Sequence, residues 1–395
     1  MKKSINNYQP SVLLLIVLVG FPQISETIFT PSLPEIAKTL EVSMAVTQLT
    51  MSIYFFAFAF GVFYWGWLSD MIGRRPAILY GIVIYSLGCY LCYAANSIGY
   101  LLFARFIQAF GASTGSITTQ TILRESYQGA ERHRLFAQIS AALAFTPAIG
   151  PLIGGYVGEY WGVKRVFLTL VVFSVFLFCY AYFQLPETRL VKGSQKVKLK
   201  PIFKEILKSP KVLTYGCLIG GINGIIFSYY AEAPYLFTDY FSMSLSHFGM
   251  LGILVATASI IGSLVSKKLL AKQEAEETIT QGLNLMILGG GVLLSFSIGN
   301  GLKPSYQMIG MLLGIFILLI GAGMVLPNCL SLALIDFKNV IGSAGAIFSL
   351  GYYFLVSGLT LGMSLLHSGS LVVMPVYFLI IILLMKFMAK RYITN

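Results

Sequence analysis

Residues 66–76 read G-W-L-S-D-M-I-G-R-R-P and separate two strongly apolar segments of the chain. A connection this short between two membrane spans can only be a tight turn at the membrane surface. Its glycines allow close backbone approach, and its aspartate can accept hydrogen bonds from free amides at a helix N-terminus. Paired arginines are typical of the cytoplasmic side. We therefore expect a hinge with gating residues Gly66, Asp70, Gly73, Arg74 and Arg75.

The composition is that of an integral membrane protein. Of the 395 residues, 57% are hydrophobic and 11% are charged, against about 25% charged in soluble domains. The mean hydropathy is +0.80, which excludes an ordinary globular enzyme. The net charge of +12 would suit nucleic acid, but the positions of the charges account for it in another way, so we expect no nucleic-acid partner.

The apolar residues form twelve segments, each near the ~20 residues that a helix needs to cross a bilayer. We therefore predict an all-α polytopic membrane protein with twelve transmembrane helices in two six-helix bundles. A basic stretch at 189–211 divides the bundles, which gives an N-terminal domain at 1–188 and a C-terminal domain at 212–395. The predicted spans are 12–33, 46–68, 77–95, 98–122, 135–157, 164–185, 212–238, 246–266, 279–299, 304–326, 341–365 and 370–389.

The lysines and arginines predict the orientation of the chain. With both termini in the cytoplasm, 22 of the 27 fall on the cytoplasmic side, which is the bias that membrane proteins show. Arg105 lies inside a span, and four are external: Lys38, Lys164, Arg165 and Lys303. No small-x-small cleavage site follows the first apolar segment, so we expect it to be retained as a helix. These observations favour a monomer in the inner membrane of a bacterium.

The turn at 66–76 resembles the loop between helices 2 and 3 of the major facilitator superfamily. Span 5 contains the further expected gating residues Gly150, Pro151, Gly154 and Gly155, and it resembles the motif that marks proton-coupled antiporters in that superfamily. Residues 227–251 look like the bicyclomycin and chloramphenicol resistance branch of drug:proton antiporters. The resemblance implies two bundles that rock about a central cavity and export a small organic compound in exchange for protons.

Two positions depart from the pattern of that branch. Thr27 stands where the branch usually has an aspartate in span 1, with Glu26 beside it. Glu232 in span 7 stands where the branch usually has a small residue. Both departures concern charges, so they bear on substrate and on proton coupling.

Three charged residues lie well inside predicted spans, and we expect them to serve proton coupling. Burial disfavours the charged form of a carboxylate, so Glu26 and Glu232 can bind and release a proton within the membrane. Arg105 is costly there unless a carboxylate, a bound anion or a polar cavity offsets its charge. Which of the two glutamates carries the proton is open at this stage.

Aromatic and polar residues predict a partly aromatic central cavity. Aromatic rings can hold flat, cationic or amphipathic solutes by stacking and cation–π contacts. Gln108 lies three residues after Arg105, on the same helical face. The cavity residues that we expect are Tyr54, Gln108, Tyr229, Tyr230, Tyr352 and Tyr353.

The sequence contains no enzymatic constellation. There is no G-x-x-x-x-G-K-[ST] stretch for nucleotide phosphates and no G-x-S-x-G turn. His133, His247 and His367 have no metal-ligand spacing, and Cys89 and Cys92 are expected to be small core residues. We therefore predict a transporter that needs no cofactor or metal. A dedicated metabolite or siderophore transporter, in either direction, and a membrane sensor that does not transport remain open alternatives.

Overall fold

The computed structural model describes residues 10–127, 135, 138–139, 142–143, 145–189, 199–299 and 301–393. Over these residues the chain is built of helices, which confirms the predicted all-α class. Its twelve long helices are α1 (Val12–Thr27), α2 (Met44–Ile72), α3 (Arg74–Ala94), α4 (Ile98–Ser126), α5 (Thr146–Trp161), α6 (Val163–Gln184), α7 (Pro210–Pro234), α8 (Leu245–Leu269), α9 (Ala275–Ile298), α10 (Pro304–Leu332), α11 (Ile341–Leu366) and α12 (Val373–Tyr392).

Ten helices in the described part of the chain are long and apolar enough to cross a membrane. The other two long helices are α4 and α5. Helix α4 carries the charged residues Arg105, Arg124 and Glu125, which lowers its hydropathy. Helix α5 is described from Thr146, and much of the preceding part of predicted span 5 lies outside the described residues.

Serine side chains begin five of the long helices. In each case the hydroxyl oxygen accepts a hydrogen bond from the backbone amide three residues further on, which satisfies one of the free donors at a helix start. The sequence thus encodes these boundaries locally. The pairs are Ser11 with Leu14, Ser43 with Val46, Ser97 with Tyr100, Ser209 with Val212 and Ser244 with His247.

Within the described residues, six long helices precede the basic linker and six follow it, and the halves meet along two helix pairs. Helix α2 packs along α11, and α5 packs along α8. The second pair is close: a methyl group on Gly155 would lie 3.1 Å from the Cα atom of Gly249. Such small-residue contacts let helix backbones approach each other in membranes.

The linker contains a feature that its charge pattern alone did not predict. Residues Leu199–Lys208 form a short helix. Its Ile202 and Ile206 are buried, one turn apart, where the helix packs against α7 and α11. The amphipathic pattern of apolar residues at i and i+4 explains the helix.

For brevity, the end of the bundle that contains the connections α1–α2 and α7–α8 is called the external end. The end that contains the α2–α3 turn is called the cytoplasmic end. These names follow the orientation that the lysine and arginine count predicts.

Candidate functional site between the two halves

Arg105 is the largest charged side chain that the structure buries completely, at 0% exposure. Its guanidinium lies against the rings of Phe29 and Tyr54, at 4.1 and 4.3 Å from their centroids. Nη1 donates hydrogen bonds to the side-chain oxygen of Gln108 and, at 3.4 Å, to the carbonyl oxygen of Ser25. Cation–π contacts of this kind offset part of the cost of a buried cation.

One edge of the Arg105 guanidinium is free of hydrogen bonds within the described structure. Nε and Nη2 have no partner there. These two nitrogens lie side by side on the planar fork, in the geometry that matches the two oxygens of a carboxylate. The arrangement is therefore suited to bind one anionic group.

Glu26 supplies a buried carboxylate in the same half. It is 6% exposed, lies on α1, and interacts electrostatically with Arg105. The described contacts contain no ion pair between the two residues, so their attraction acts over a longer distance. Tyr54 donates a hydrogen bond to the carbonyl oxygen of Pro22 at 3.3 Å, which links α2 to the proline turn of α1 just before Glu26.

Gln108 connects Arg105 to the two cysteines of α3. Its Nε2 donates to Cys89 Sγ at 3.2 Å, and Cys92 Sγ lies 3.8 Å from its Oε1. Both thiols are free and buried. The cysteines are core residues, as the sequence predicts, and they also provide weak polar partners for the amide.

Aromatic rings from both halves meet beside this charged centre. Phe55 of α2 contacts Phe227 of α7 with ring centroids 4.3 Å apart, and Phe58 contacts Tyr353 of α11 at 4.8 Å. The ring centroids of Tyr230 and Phe227 are 6.5 Å apart, and those of Tyr352 and Tyr353 are 4.5 Å apart in a tilted arrangement. Glu26 interacts electrostatically with both Tyr230 and Tyr353. The structure therefore brings five of the six expected cavity residues together.

Tyr229 lies elsewhere. It lines a small space inside the second half, together with Ile225, Leu318 and Phe378. Neighbouring residues of a helix point about 100° apart, so Tyr229 and Tyr230 cannot both face the same neighbour.

Glu232 lies in a second cluster at the external end. It is 1% exposed, and its Oε2 accepts a hydrogen bond from Gln48 Nε2 of α2 at 2.6 Å. His367, which follows α11, places Nδ1 at 3.0 Å from Oε1 and 2.9 Å from Oε2. The ring of Tyr235 packs edge-on against the imidazole at 4.8 Å. Glu232 thereby joins residues from both halves.

His367 is the residue that the sequence missed. Its only sequence signal was a polar residue at a span end, and it lies 135 residues from Glu232 along the chain. The other two histidines behave differently: His247 pairs with Ser244 at 2.7 Å, and His133 lies outside the described residues. Over the part of the chain that was described, histidine, cysteine, aspartate and glutamate form no group of three that could hold a metal ion.

Two further polar contacts cross the external end. Glu159, at the end of α5, accepts a hydrogen bond from the backbone amide of Ser246 at 2.6 Å, at the N-terminus of α8. Lys38 forms an ion pair with Asp239 at 3.2 Å, with both side chains in contact with solvent. A carboxylate at a helix N-terminus is a favourable arrangement.

The cytoplasmic turn forms a network within the first half. Arg74 is buried and donates to Asp70 at 2.6 Å, to Ser69 at 2.9 Å and to both carboxylate oxygens of Glu125 at 3.0 and 2.7 Å. Gly73 has a φ of 104°, a value that glycine adopts readily. Glu187 accepts the amide of Arg74 at 2.9 Å and that of Arg75 at 3.2 Å, which caps the start of α3.

The remaining predicted gating residues lie where helices approach each other closely. Gly66 lies near Ile117 of its own half and near Ala346 of α11, and a methyl group on Gly154 would overlap with the carbonyl oxygen of Ile28. Gly150 is equally close to Thr27. Pro151 contributes a carbonyl group that lies against Gly249 of α8.

Long apolar helices throughout the described residues, buried charges, and an aromatic cluster between the halves are typical of a multi-pass membrane transporter. A model of the Major Facilitator Superfamily matches residues 15–361, and the chain belongs to that superfamily. It is therefore a transporter of small molecules and not an enzyme.

Similar proteins agree with this class. The chain is 33% identical over 376 residues to an uncharacterized transporter of Rickettsia bellii (strain RML369-C), with 93% of each chain covered. It is 24% identical over 291 residues to a bicyclomycin resistance protein homolog of Haemophilus influenzae, with 72% of this chain and 73% of the other covered. The crystal structure of a D-xylose-proton symporter has the same fold, with a TM-score of 0.74, 14% identity, and 95% of this chain and 96% of that chain covered.

Proposed function

We propose that this protein exports small organic compounds in exchange for protons, with Glu26 as the proton carrier. The observation that carries the proposal is the pair of buried charges in the first half. Arg105 offers a free, carboxylate-shaped edge, and Glu26 lies within electrostatic reach of it. Isolated ionisable groups at membrane depth are expensive and mark ion or substrate pathways.

The two charges provide a cycle of attraction and release. When Glu26 is ionised, its carboxylate is drawn towards the Nε and Nη2 edge of Arg105 because opposite charges attract strongly in a medium of low dielectric constant. When a proton neutralises Glu26, that attraction is lost, and so is the charge that would bind a cationic or hydrogen-bond-donating group of the substrate. A proton and such a group therefore compete for the same carboxylate, which is the requirement for exchange.

The aromatic cluster supports organic compounds as the substrate class. Phe55 and Phe58 of the first half contact Phe227 and Tyr353 of the second, and Tyr54 packs against Phe58. Rings from both halves can stack on a flat solute that is bound between them. These rings must separate when the two halves tilt relative to each other. The bicyclomycin resistance protein homolog among the relatives favours export of drug-like compounds.

The test uses inside-out membrane vesicles whose lumen is acidified, with ethidium and chloramphenicol as probes. Uptake into the lumen that stops when the pH gradient is collapsed is the expected result for the parent protein. Glu26→Gln cannot ionise, so we expect it to lose most gradient-driven uptake, by about tenfold or more. Glu41→Gln is the matched control because Glu41 is an exposed glutamate at the external end, and it should transport like the parent.

Two results would overturn the proposal. Gradient-driven uptake by Glu26→Gln at the parent's rate would remove Glu26 as the carrier. Uptake by the parent that persists after the gradient is collapsed would remove proton coupling altogether. The amount of each variant in the membrane is measured in parallel, so that poor expression cannot imitate a loss of transport.

A further inference from the structure

The cluster around Glu232 contains ionisable side chains that take no part in the exchange cycle around Glu26. The two oxygens of one buried carboxylate meet an amide from the first half and an imidazole from the second, at 2.6 to 3.0 Å. The imidazole nitrogen must donate while Glu232 is ionised, since a carboxylate only accepts. Charge-assisted hydrogen bonds of this kind are roughly twice as strong as neutral ones.

The cluster has a path to external water. The side chain of His367 is 11% exposed, whereas that of Glu232 is 2% exposed. His367 follows the last turn of α11 and precedes the exposed residues Ser368 and Ser370. An imidazole can pass a proton between water and a buried group because it titrates near neutral pH and has two nitrogens.

The cluster is part of the contact that closes the external end. Gln48 is fully buried near the start of α2. One turn from this region, Ser364 of α11 donates a hydrogen bond to the carbonyl oxygen of Ala45 on α2. Strengthening or weakening the bond between Glu232 and Gln48 therefore acts directly on the seam between α2, α7 and α11.

Other titratable groups surround this end of α7. The contacts described for Glu232 are those to Gln48 and His367, and the neighbours are engaged differently: Lys38 pairs with Asp239, and Glu35 interacts with Lys38. Glu26 interacts with Arg105 and Tyr230. Tyrosines on α7 and on the helices packed against it include Tyr229, Tyr230, Tyr352, Tyr353 and Tyr377, and Tyr235 follows α7 directly.

We propose that Glu232 and His367 form a second proton-binding site, loaded from the external side, and that a proton bound there releases Gln48 and lets the external end open. The proposal deepens the proposed function and rests on it for its physiological purpose. The proton passes from external water through the imidazole to a carboxylate oxygen, which turns the carboxylate into a neutral acid. The hydrogen bond from Gln48 then loses its charge assistance.

The direction of the effect follows from the charges. External acid favours the neutral acid, so it weakens the bond between the halves and favours opening to the outside. External alkali restores the carboxylate and favours the closed external end that the structure shows. For an exporter, this order admits protons at the moment when substrate leaves.

The experiment reads external opening directly, without a transport assay. The reporter is Ser364→Cys, a nearly isosteric substitution at the closed contact between α2 and α11. It is introduced into a variant in which the natural cysteines have been replaced. In intact cells it is labelled with a membrane-impermeant maleimide that is quenched after short times. The external medium is set to about pH 5.5 or about pH 8, on either side of the ordinary titration range of histidine, and rates are corrected for the pH dependence of an exposed reference cysteine.

In the parent reporter we expect labelling to be roughly tenfold faster in acid, the effect of losing one hydrogen bond to a charged group. Glu232→Gln should label rapidly at both values because it stays neutral. His367→Gln keeps a donor without titrating near neutrality, and it should shift the pH at which labelling accelerates. Asp239→Asn is the matched control: it removes another carboxylate that bridges the halves, but an exposed one, and it should keep the parent's pH dependence.

Three outcomes would overturn the proposal. The first is labelling of the parent that does not change with pH. The second is a Glu232→Gln variant that keeps the full pH dependence, and the third is loss of that dependence in Asp239→Asn. If Glu232→Gln does not reach the membrane, the His367→Gln variant provides the test. A dependence of labelling on pH that is the same as in the parent would then also contradict the proposal.

The outcomes are separable from those for the proposed function. If vesicle uptake does not depend on a proton gradient but labelling follows external pH as expected, the second site stands and proton-coupled export fails. If uptake needs the gradient and Glu26, but labelling ignores pH, export stands and the second site fails.

Discussion

Both ends of the molecule contain carboxylates that accept hydrogen bonds or form ion pairs. At the external end these contacts join the two halves, and at the cytoplasmic turn they lie within the first half. At the external end, carboxylates bridge the halves: Glu232 meets Gln48 at 2.6 Å, and Glu159 meets the amide of Ser246 at 2.6 Å. At the cytoplasmic turn, the contacts of Asp70 and Glu125 are to Arg74, within the first half.

The difference separates two physical consequences. A contact inside one half is present whichever way the halves are tilted, so it contributes to the stability of that half. A contact between halves exists only while that end is closed, so it shifts the population of states. Removing a carboxylate contact at the cytoplasmic turn should therefore lower the stability of the protein. Removing one at the external end should increase the access of external reagents to the contact between the halves.

The largest expected effect comes from Arg74→Ala. The side chain is buried and joins Asp70, Ser69 and Glu125, so its removal leaves two carboxylates without their cation. Because Asp70 is 63% exposed, we expect a loss of stability of about 1–3 kcal/mol, below the range for a fully buried pair. Thermal unfolding of the purified protein in detergent should shift down by several degrees.

The matched control for that variant is Arg75→Ala. Arg75 also lies in the turn, but its side chain is only half-buried, donates to the carbonyl oxygen of Tyr182 at 2.8 Å, and lies over the Tyr182 ring. We expect a shift of less than about 1 kcal/mol. Equal destabilisation by the two variants would show that charge in the turn, and not the Arg74 network, holds this end together.

An intermediate effect is expected from two neighbouring glycines of α5. Gly154 packs on the backbone of α1 in its own half, and Gly155 packs on the backbone of α8 in the other. An added methyl group forces each pair apart at a cost of about 1–3 kcal/mol. Gly154→Ala should lower the unfolding temperature, whereas Gly155→Ala should mainly accelerate labelling of the external Ser364→Cys reporter.

Gly291→Ala provides the control for both, because no atom lies within 4 Å of the added methyl group there. It should leave both measurements unchanged. Faster external labelling by Gly154→Ala, without any change in unfolding, would contradict the assignment of that contact to a single half.

Part of the fold and part of the candidate site could be predicted from the sequence. The apolar spans, the α2–α3 turn and the shared face of Arg105 and Gln108 follow from local information: apolar length, a motif and i,i+3 spacing on one helix. Serine residues likewise mark five helix starts. Each of these features needs knowledge of fewer than about 30 neighbouring residues.

The external cluster required the fold. Gln48 and Glu232 are 184 residues apart, and Glu232 and His367 are 135 residues apart, so no spacing rule connects them. Glu187 caps α3 from the far end of the first half for the same reason. The aromatic content of the sequence predicted that Tyr229 and Tyr230 line the cavity, but it could not predict which of the two rings faces the other half. That depends on the rotation of α7 about its own axis.

The smallest effect concerns Glu159, and it tests the comparison most directly. From the sequence we expect Asp70, as a gating residue of the turn, to accept hydrogen bonds from free amides at a helix N-terminus. The structure describes such a carboxylate-to-helix contact at the other end, between Glu159 and the N-terminus of α8. A surface carboxylate at a helix N-terminus contributes about 0.3–1 kcal/mol, so Glu159→Gln should raise external labelling by about two- to fivefold. Asp70→Asn should not raise it, because the contact of Asp70 with Arg74 lies in one half.

The control for this pair is Lys38→Met, which breaks an exposed ion pair between the halves and should change labelling by less than about twofold, and less still at high salt. A rise with Asp70→Asn equal to that with Glu159→Gln would mean that the two ends are not distinct in the way described. Greater cytoplasmic labelling in Asp70→Asn alone, with external labelling unchanged, would instead place a cytoplasmic gate at the turn. The α2–α3 turn would then hold its own half together through Arg74 and bias the transporter through Asp70.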